Sequence, residues 1–189
     1  MAKPNTKKPN NYAFIDSQNL NLGTQRMGWK IDWRKFRKFL HDQYGVTKAY
    51  TFIGYMSENE ALYEYMHELG YLVVLKPTID MSPKPDQDSK KQTAKEGDGK
   101  EKSIIKGNVD AEIVLYALKE LPNYDKAIVV SGDGDFFSLV EYLDEKGKLD
   151  RILTPNWQYS SLLKPFEPKI VRLDQKRRQL SYHDRKKKK

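Results

Sequence analysis

Short apolar runs alternate with amphipathic segments along most of this chain. The runs are mostly apolar and rich in Val, Ile, Tyr and Phe, a pattern that predicts buried β-strands. Between them, apolar residues recur every three or four positions, which predicts helices that cover the faces of a sheet. Because strands and helices alternate, the pattern predicts an α/β fold with a central, mainly parallel sheet and right-handed crossovers. The predicted strands are 12–16, 49–53, 71–75, 127–130, 149–153 and 169–173.

Capping residues and glycines indicate where the predicted helices begin and end. An Asp, Ser or Asn precedes most of the amphipathic segments, and a glycine follows several of them, as expected at helix termini. Segments 17–19 and 23–30 lack a clear apolar period and are predicted to be a turn and a loop. The helices are predicted at 32–44, 57–69, 108–121 and 136–146, with a single helical turn at 158–163.

A long polar stretch interrupts the alternation. Residues 78–106 contain seven lysines and six acids with almost no apolar side chains, so they cannot bury enough surface to offset ordering. We therefore predict a flexible charged loop, inserted into one domain that spans residues 12–173. On either side of that domain we predict a flexible basic N-terminus, 1–11, and a basic C-terminal tail, 174–189.

The net charge of +8 is concentrated in the two ends of the chain. Residues 174–189 contain eight Lys or Arg and two Asp, and residues 1–11 contain three lysines, so the body between them is close to neutral. Basic ends on a neutral body favour a polyanionic partner such as nucleic acid.

Composition also excludes several classes of protein. The chain has no cysteine, which excludes a disulfide framework, a thiolate metal site and a cysteine nucleophile. No apolar run has the length of a membrane span, and the first residues lack the apolar core of a secretory signal. We therefore expect a cytoplasmic protein without a membrane partner, either a monomer or a homodimer.

The most informative stretch is Ala127–Phe136, in which an apolar strand ends abruptly in Ser131-Gly-Asp-Gly-Asp135. Another acid, Asp16, follows the first predicted strand, and Asp110 lies in the first turn of the helix after the loop. The carboxyl ends of parallel strands share one edge of a sheet. Asp16 and Asp133 should therefore lie close together if their strands are neighbours at the switch point of the topology.

These acids allow two interpretations. Each one alone fits a helix cap or a favourable place on the helix dipole. Asp16 does not fit the interpretation that all of these acids are helix caps, because no helix is predicted to start directly after it. Converging carboxylates repel one another unless a cation neutralises them, and oxygen ligands select hard ions. The combination therefore favours a site for Mg²⁺ or Mn²⁺.

Three segments resemble the signature blocks of the NYN domain, in its LabA/DUF88 branch. They are Phe14–Asn19, Lys106–Asp110 and Val130–Phe136, in the expected order within a match that spans 12 to about 173. The resemblance implies a PIN-like, Rossmann-like three-layer fold and a metal-dependent ribonuclease site. One departure is Ser17-Gln18, where the commoner family pattern has a glycine after the aspartate.

Carried over to this sequence, the resemblance implies specific roles. The acids would bind the metal and act in catalysis, with two polar residues in support. These residues are Asp16, Asp110, Asp133 and Asp135, supported by Asn19 and Ser131. The implied reaction is hydrolysis of an RNA phosphodiester. We expect single-stranded RNA as the substrate, and a 5′-phosphate and a 3′-hydroxyl as the product ends.

Two other functions fit the same fold. One is a regulatory protein that binds nucleic acid or a partner without cleaving it, and the other is a phosphatase acting on small phosphoesters. Basic residues near the site and in the tail are candidates for nucleic-acid binding, while Trp157 and Tyr159, beside a Pro-Asn turn, are candidates for base stacking. The basic candidates are Lys106, Lys176, Arg177, Arg178, Arg185 and Lys186.

Overall fold

A single parallel sheet forms the centre of the protein. The computed structural model describes residues 9–76, 79–80, 105–106 and 109–183. The strands are β1 (Asn11–Asp16), β2 (Val46–Gly54), β3 (Tyr71–Lys76), β4 (Ile79–Asp80), β5 (Ile105–Lys106), β6 (Ala127–Val130), β7 (Leu149–Thr154) and β8 (Ile170–Arg172). Six of them form a parallel sheet in the order β3-β2-β1-β6-β7-β8, and β4 and β5 form a separate antiparallel pair. The predicted α/β fold with a parallel central sheet is thereby confirmed.

Helices cover both faces of the sheet. Short 3₁₀ segments at Ser57–Asn59, Gly134–Phe136, Ser161–Lys169 and Leu173–Lys176 connect or extend them. No helix in the described ranges combines the length and apolar character needed to cross a membrane. The α-helices are α1 (Ser17–Arg26), α2 (Trp33–Tyr44), α3 (Glu60–Glu68), α4 (Asp110–Lys119), α5 (Phe137–Glu145) and α6 (Arg177–Leu180).

The core consists of two apolar layers, one on each face of the sheet. Side chains alternate along β1: Tyr12 and Phe14 enter one layer, and Ala13 and Ile15 enter the other. Helices α4 and α5 pack into the first layer, whereas α1, α2, α3 and α6 contribute to the second. Strand β6 is buried along its whole length, as expected for a central parallel strand.

The direction of the topology reverses between β1 and β6. From β1 the chain moves outward through β2 to β3, returns through α4 to β6 on the other side of β1, and continues to β8. The two strands at the reversal pair directly, with Ile15 opposite Val130. The carboxyl ends of β1 and β6 therefore meet at the switch point, where open α/β sheets bind their ligands.

Two predictions along the first half of the chain were wrong. The segments predicted as a turn at 17–19 and a loop at 23–30 contain α1, which begins directly after β1. Asp16 is the N-cap of that helix, so the argument that no helix starts there fails. The apolar signal is weak because the buried face of α1 consists of Ser17, Leu20, Gly23 and Thr24, of which only one is a large apolar residue.

The C-terminal part of the described chain packs on the domain beyond the predicted boundary at residue 173. Leu180 is fully buried in the second core layer, and Arg177 donates to the backbone oxygen of Gly28 at 3.0 Å. Ser181 forms a β-bridge with Ile31. These contacts join residues 174–183 to the segment between α1 and α2. In the sequence, the apolar anchor Leu180 is hard to recognise because basic residues surround it.

The strands β4 and β5 form a short stem between β3 and α4. Ile79 pairs with Lys106 and Asp80 with Ile105, in antiparallel register. Beside the stem, the Lys76 ammonium group at the end of β3 lies 3.0 Å from the Glu112 carboxylate in the first turn of α4. Most of the predicted loop 78–106, the residues 1–8 and Asn108 lie outside the described residues.

Candidate active site

Asp16 occupies the carboxyl end of β1 at the switch point. Its Oδ1 accepts a hydrogen bond from the Asn19 backbone N–H at 2.9 Å, which caps α1. Its Oδ2 accepts a second hydrogen bond from the Ser131 hydroxyl at 3.2 Å. The residue is only 7% exposed. One buried carboxylate therefore joins the end of β1 to the turn that follows β6.

The turn after β6 is held by a set of short hydrogen bonds. The Ser131 hydroxyl accepts from the Asp133 backbone N–H at 3.1 Å while it donates to Asp16. The Asn19 side-chain oxygen accepts from the Gly132 N–H at 2.9 Å. Asp133 in turn caps the following 3₁₀ segment by accepting from the Asp135 N–H at 3.1 Å. Asn19 and Ser131 thus hold the turn after β6 against the end of β1, and their supporting role at a reaction site stays a prediction.

Close packing explains one glycine of this turn. A Cβ atom at Gly134 would collide with the side chain of Ser160, whose backbone N–H donates to the Gly132 oxygen at 2.9 Å. The absence of a side chain lets the segment at Ser160 lie directly against the acidic turn. This contact closes one side of the site.

Burial changes the protonation of Asp16. Removal from water is the largest cause that raises the pKa of Asp16, while the hydrogen bonds from Asn19 and Ser131 lower it. The negative charges of Asp110 and Asp133 also raise it, and together these effects give a pKa of about 6. Asp16 therefore lies close to two other acids in an environment that disfavours its charge, and a bound cation would relieve both effects.

The predicted acids fall into two groups. Asp16 and Asp133 come together through Ser131, and Asp110, at the start of α4, lies close enough for its charge to act on Asp16. Asp135 is exposed, and among the described residues the charges that raise the pKa of Asp16 come from Asp110 and Asp133. Asp135 is thus peripheral to the group in this structure.

The donor chemistry of the site fits a hard divalent cation. In the described ranges no three His, Cys, Asp or Glu side chains stand at the spacing of a closed metal cluster. Mg²⁺ does not need such a cluster, because it keeps several waters and is usually bound through one or two carboxylates together with substrate phosphates. Asp16, with its raised pKa and two acidic neighbours, is the group that such an ion would stabilise most.

The predicted basic candidates have different surroundings. The Arg177 guanidinium binds the backbone oxygens of Met27 and Gly28, which gives it a structural role at the chain's C-terminal segment. Lys176 and Arg178 are exposed on the same segment. Lys106 pairs with Ile79 through its backbone. Arg185 and Lys186 lie outside the described residues.

A turn at the end of β7 displays one of the predicted stacking residues. Trp157 is 56% exposed, whereas Tyr159 is half-buried. Buried Asn156 holds the turn, because its Nδ2 donates to the Gly23 oxygen at 2.8 Å and its Oδ1 accepts from the Gln158 N–H at 2.7 Å. Trp157 is therefore presented to solvent by an ordered turn at the same edge of the sheet as the acids.

Besides the predicted Asn19, helix α1 brings side chains near the site that the sequence did not indicate. Gln18 and Asn21 line a cavity on one side of the helix, and Arg26 lines a polar cavity of about 90 Å³ with Asn19 and Gly132 on the other. Recognising Asp16 as an N-cap would have revealed the helix and the placement of these side chains.

Comparison with known proteins gives a consistent result. The family profile of the NYN domain matches residues 12–162. The chain is 26% identical over 137 residues to the Low amplitude and bright protein LabA of Synechococcus elongatus, covering 70% of this chain and 67% of that protein. The fold is similar to the crystal structure of a Vibrio parahaemolyticus protein of unknown function, with a TM-score of 0.67 and 21% identity over 96% of this chain and 100% of that one. The chain therefore belongs to the NYN domain family, a family of PIN-like nucleases.

Proposed function

We propose that this protein is a metal-dependent ribonuclease that hydrolyses single-stranded RNA at the switch point of its sheet. One observation carries the proposal: buried Asp16 links the two loops of the switch point and has two further acids beside it. A buried carboxylate with like-charged neighbours is costly for folding and is typical of functional sites. Membership of a nuclease family supports the proposed activity.

Asp16, Asp110 and Asp133 would hold Mg²⁺ or Mn²⁺. When bound, such an ion lowers the pKa of a water molecule and neutralises negative charge that develops on a phosphodiester. Asp135, exposed one turn away, remains a candidate for contacting a second ion or the substrate. Because the acids lie on three different elements, the site depends on the fold for its assembly.

The chain's own residues keep these acids in place during the reaction. Ser131 donates to the Oδ2 of Asp16 and so orients this carboxylate. Asn19 fixes the Gly132 backbone and thereby the direction of the turn that carries Asp133. In the proposed hydrolysis, water attacks phosphorus and the bond to the 3′-oxygen breaks. The products are a 3′-hydroxyl and a 5′-phosphate.

Several surface residues around the acids suit an RNA strand. Arg26 has no hydrogen-bond or ion-pair partner among the described residues, and it lies in the polar cavity next to Asn19. Trp157 offers an exposed aromatic surface at the same edge, where a base can stack. Both features favour a single strand, whose bases are free to stack on side chains.

The proposal is tested by cleavage of an end-labelled single-stranded RNA in Mn²⁺ or in EDTA. We expect the wild type to cut the RNA only with the metal, and Asp110→Asn to lose at least about a hundredfold in rate, since it removes charge that would stabilise the bound cation. Glu141→Gln is the matched control, because Glu141 is exposed on α5 and should not affect the rate.

The other outcomes distinguish the remaining functions. RNA that is bound but not cleaved with any metal would refute the nuclease proposal and indicate a binding or regulatory protein. Turnover of a chromogenic phosphomonoester without RNA cleavage would indicate a phosphatase. Products ending in a 2′,3′-cyclic phosphate would contradict the hydrolytic mechanism, because they require attack by the 2′-hydroxyl.

A further inference from the structure

A cavity of about 220 Å³ opens beside the acids, between α1, the end of β2 and α3. Ser17 and Val109 line it, and these residues are the chain neighbours of Asp16 and Asp110. The Ser17 hydroxyl donates to the Phe52 backbone oxygen at 2.7 Å, which fixes the junction of α1 and β2 at the cavity wall. The cavity is therefore an ordered feature next to the proposed reaction site.

The walls of the cavity are apolar. Phe52 and Met66 are fully buried beneath it, and Trp33 forms one side. Leu62, which is 37% exposed, lies on α3 as a further part of the lining. Mostly apolar walls with a few placed polar groups are typical of small-ligand sites, and a cavity of about 220 Å³ has room for one small flat ligand.

Three side-chain amides provide the polar groups of this cavity. Gln18 and Asn21 are three positions apart on α1, and thus on one side of the helix, while Asn59 lies opposite before α3. Within the described chain, none of these three amide groups hydrogen-bonds to the protein, and no charged side chain lines the cavity. The cavity thus combines apolar walls with donors and acceptors that have no partner.

We propose that this amide pocket, defined by Gln18, Asn21 and Asn59, binds one base of the RNA strand next to the phosphodiester that is cut. This inference rests on the proposed function. A nucleobase is flat, uncharged and rimmed by donors and acceptors, and amide side chains pair with such an edge in two directions at once. The adjoining acids, with their metal ion, would then face the phosphate of the same nucleotide.

The location of the pocket favours a base over other ligands. A charged ligand would find no opposite charge among the lining residues. Gln18 is exposed and Asn21 and Asn59 are half-buried, so a purely apolar ligand would remove the latter two amides from water without giving them hydrogen bonds. A base whose phosphate lies at the acids beside Asp16 would place its ring against the apolar walls and its edge against the amides. The pocket would then give the enzyme a preference among bases.

The test compares the initial rates of cleavage of three labelled homopolymers, of A, C and U, in Mn²⁺. Reading of a base edge by amide side chains changes binding by roughly five- to a hundredfold. We expect wild-type rates to differ at least about tenfold between the best and the worst base. In the double variant Gln18→Ala/Asn21→Ala this ratio should fall below about threefold.

Two controls test whether a change in the ratio has another cause, such as loss of helix α1 or the removal of any exposed amide. Alanine favours helix, so the double variant should keep α1 folded, which circular dichroism and thermal unfolding can verify. Gln43→Ala removes an exposed amide from α2, at the opposite edge of the sheet, and should leave the ratio of rates unchanged.

A second measurement separates this inference from the nuclease proposal. Affinities for the same homopolymers are determined in EDTA, by the change in tryptophan fluorescence on titration. Equal rates and equal affinities for the three bases, or a ratio that is unchanged in the double variant, would overturn the amide pocket and leave the nuclease standing. Base-dependent affinity that the double variant loses, without cleavage at any metal concentration, would support the pocket and refute the nuclease.

Discussion

Asp16 stabilises the folded state through its hydrogen bonds and destabilises it through its buried charge. It caps α1 and accepts from Ser131, and both contacts favour the folded state. Its burial nevertheless raises the pKa of the carboxyl group to about 6, so that at neutral pH the folded protein must keep a charge in a poorly solvated place. We expect the protein to be less stable than its packing alone would allow, as is common at functional sites.

The pH dependence of this cost follows from linkage. The folded state raises the Asp16 pKa from 3.8 to about 6, so it holds the proton more tightly than the unfolded chain does. Between these values the folded state binds more protons, and its stability from this group falls as pH rises. The cost is complete above about pH 6 and amounts to about 3 kcal/mol.

Asp16→Asn should therefore stabilise the protein at pH 7.5 in EDTA. Asparagine still caps a helix and its amide can donate to the Ser131 hydroxyl, but it carries no charge. We expect a gain on the order of 1–3 kcal/mol in the free energy of unfolding, measured with urea.

The gain should disappear near pH 4, where the wild-type carboxyl group is protonated in the folded state. Glu141→Gln, which changes an exposed acid, should show no comparable dependence on pH. A free energy of unfolding that is equal for Asp16→Asn and wild type at both pH values would show that the buried charge carries no such cost.

At the scale of elements, the strands could be predicted from the sequence because burial on both faces leaves continuous apolar runs such as Ala127–Val130. The amphipathic helices α2, α3, α4 and α5 were likewise predicted from their apolar period. Helix α1 could not, since it carries glycine and several asparagines at the edge of the sheet and buries little apolar surface. Its existence depends on the cap at Asp16 and on tertiary contacts.

The candidate site was predictable in part for the same reason. That Asp16 and Asp133 would converge followed from the rule that parallel strands end at one edge, provided that β1 and β6 were neighbours. No local signal in the sequence shows that β1 and β6 are neighbours, because their pairing results from the long return of the chain through α4. The amides of α1 and the cavity beside them depend on tertiary packing and could be found only in the folded protein.

Gly23 shows how tightly α1 is fitted to the sheet edge. A Cβ atom at this position would overlap the ring of Pro155, on the turn that presents Trp157. Gly23→Ala should therefore lower the free energy of unfolding by about 1 kcal/mol or more, since overpacking costs about 1–3 kcal/mol and outweighs the better helix propensity of alanine. Urea unfolding measures this change.

Gln25→Ala is the matched control for that substitution. Gln25 is exposed on the same helix, so alanine there should be neutral or slightly stabilising. If Gly23→Ala proved as stable as Gln25→Ala, the close contact between α1 and Pro155 would not limit the packing.

For the whole molecule, we expect the C-terminal basic region to divide into two parts with different roles. Residues up to 183 pack on the domain through Leu180 and Arg177. Removal of residues 184–189 should therefore leave the melting temperature unchanged and weaken RNA binding in a salt-dependent way. The slope of log K against log salt should fall by roughly 0.7 for each phosphate contact that is lost.

Removal of residues 174–189 should do more. It takes away a fully buried leucine, so the melting temperature should drop by several degrees, on the order of 2–4 °C for each kcal/mol lost. Thermal unfolding and RNA titrations at two or more salt concentrations check both variants. If the two truncations had the same melting temperature, residues 174–183 would contribute nothing to stability.

The paired stem formed by β4 and β5 has a consequence for protein engineering. Its two strands bring the chain back to the same place before α4 begins, and the contact of Lys76 with Glu112 joins the elements on either side. The length of the segment between the strands should therefore matter little to the position of Asp110, because the free-energy cost of closing a loop grows by only about 0.6 kcal/mol for each doubling of its length. A reporter or an affinity module could therefore be inserted between the two strands of the stem, beside the candidate active site, without redesign of the domain.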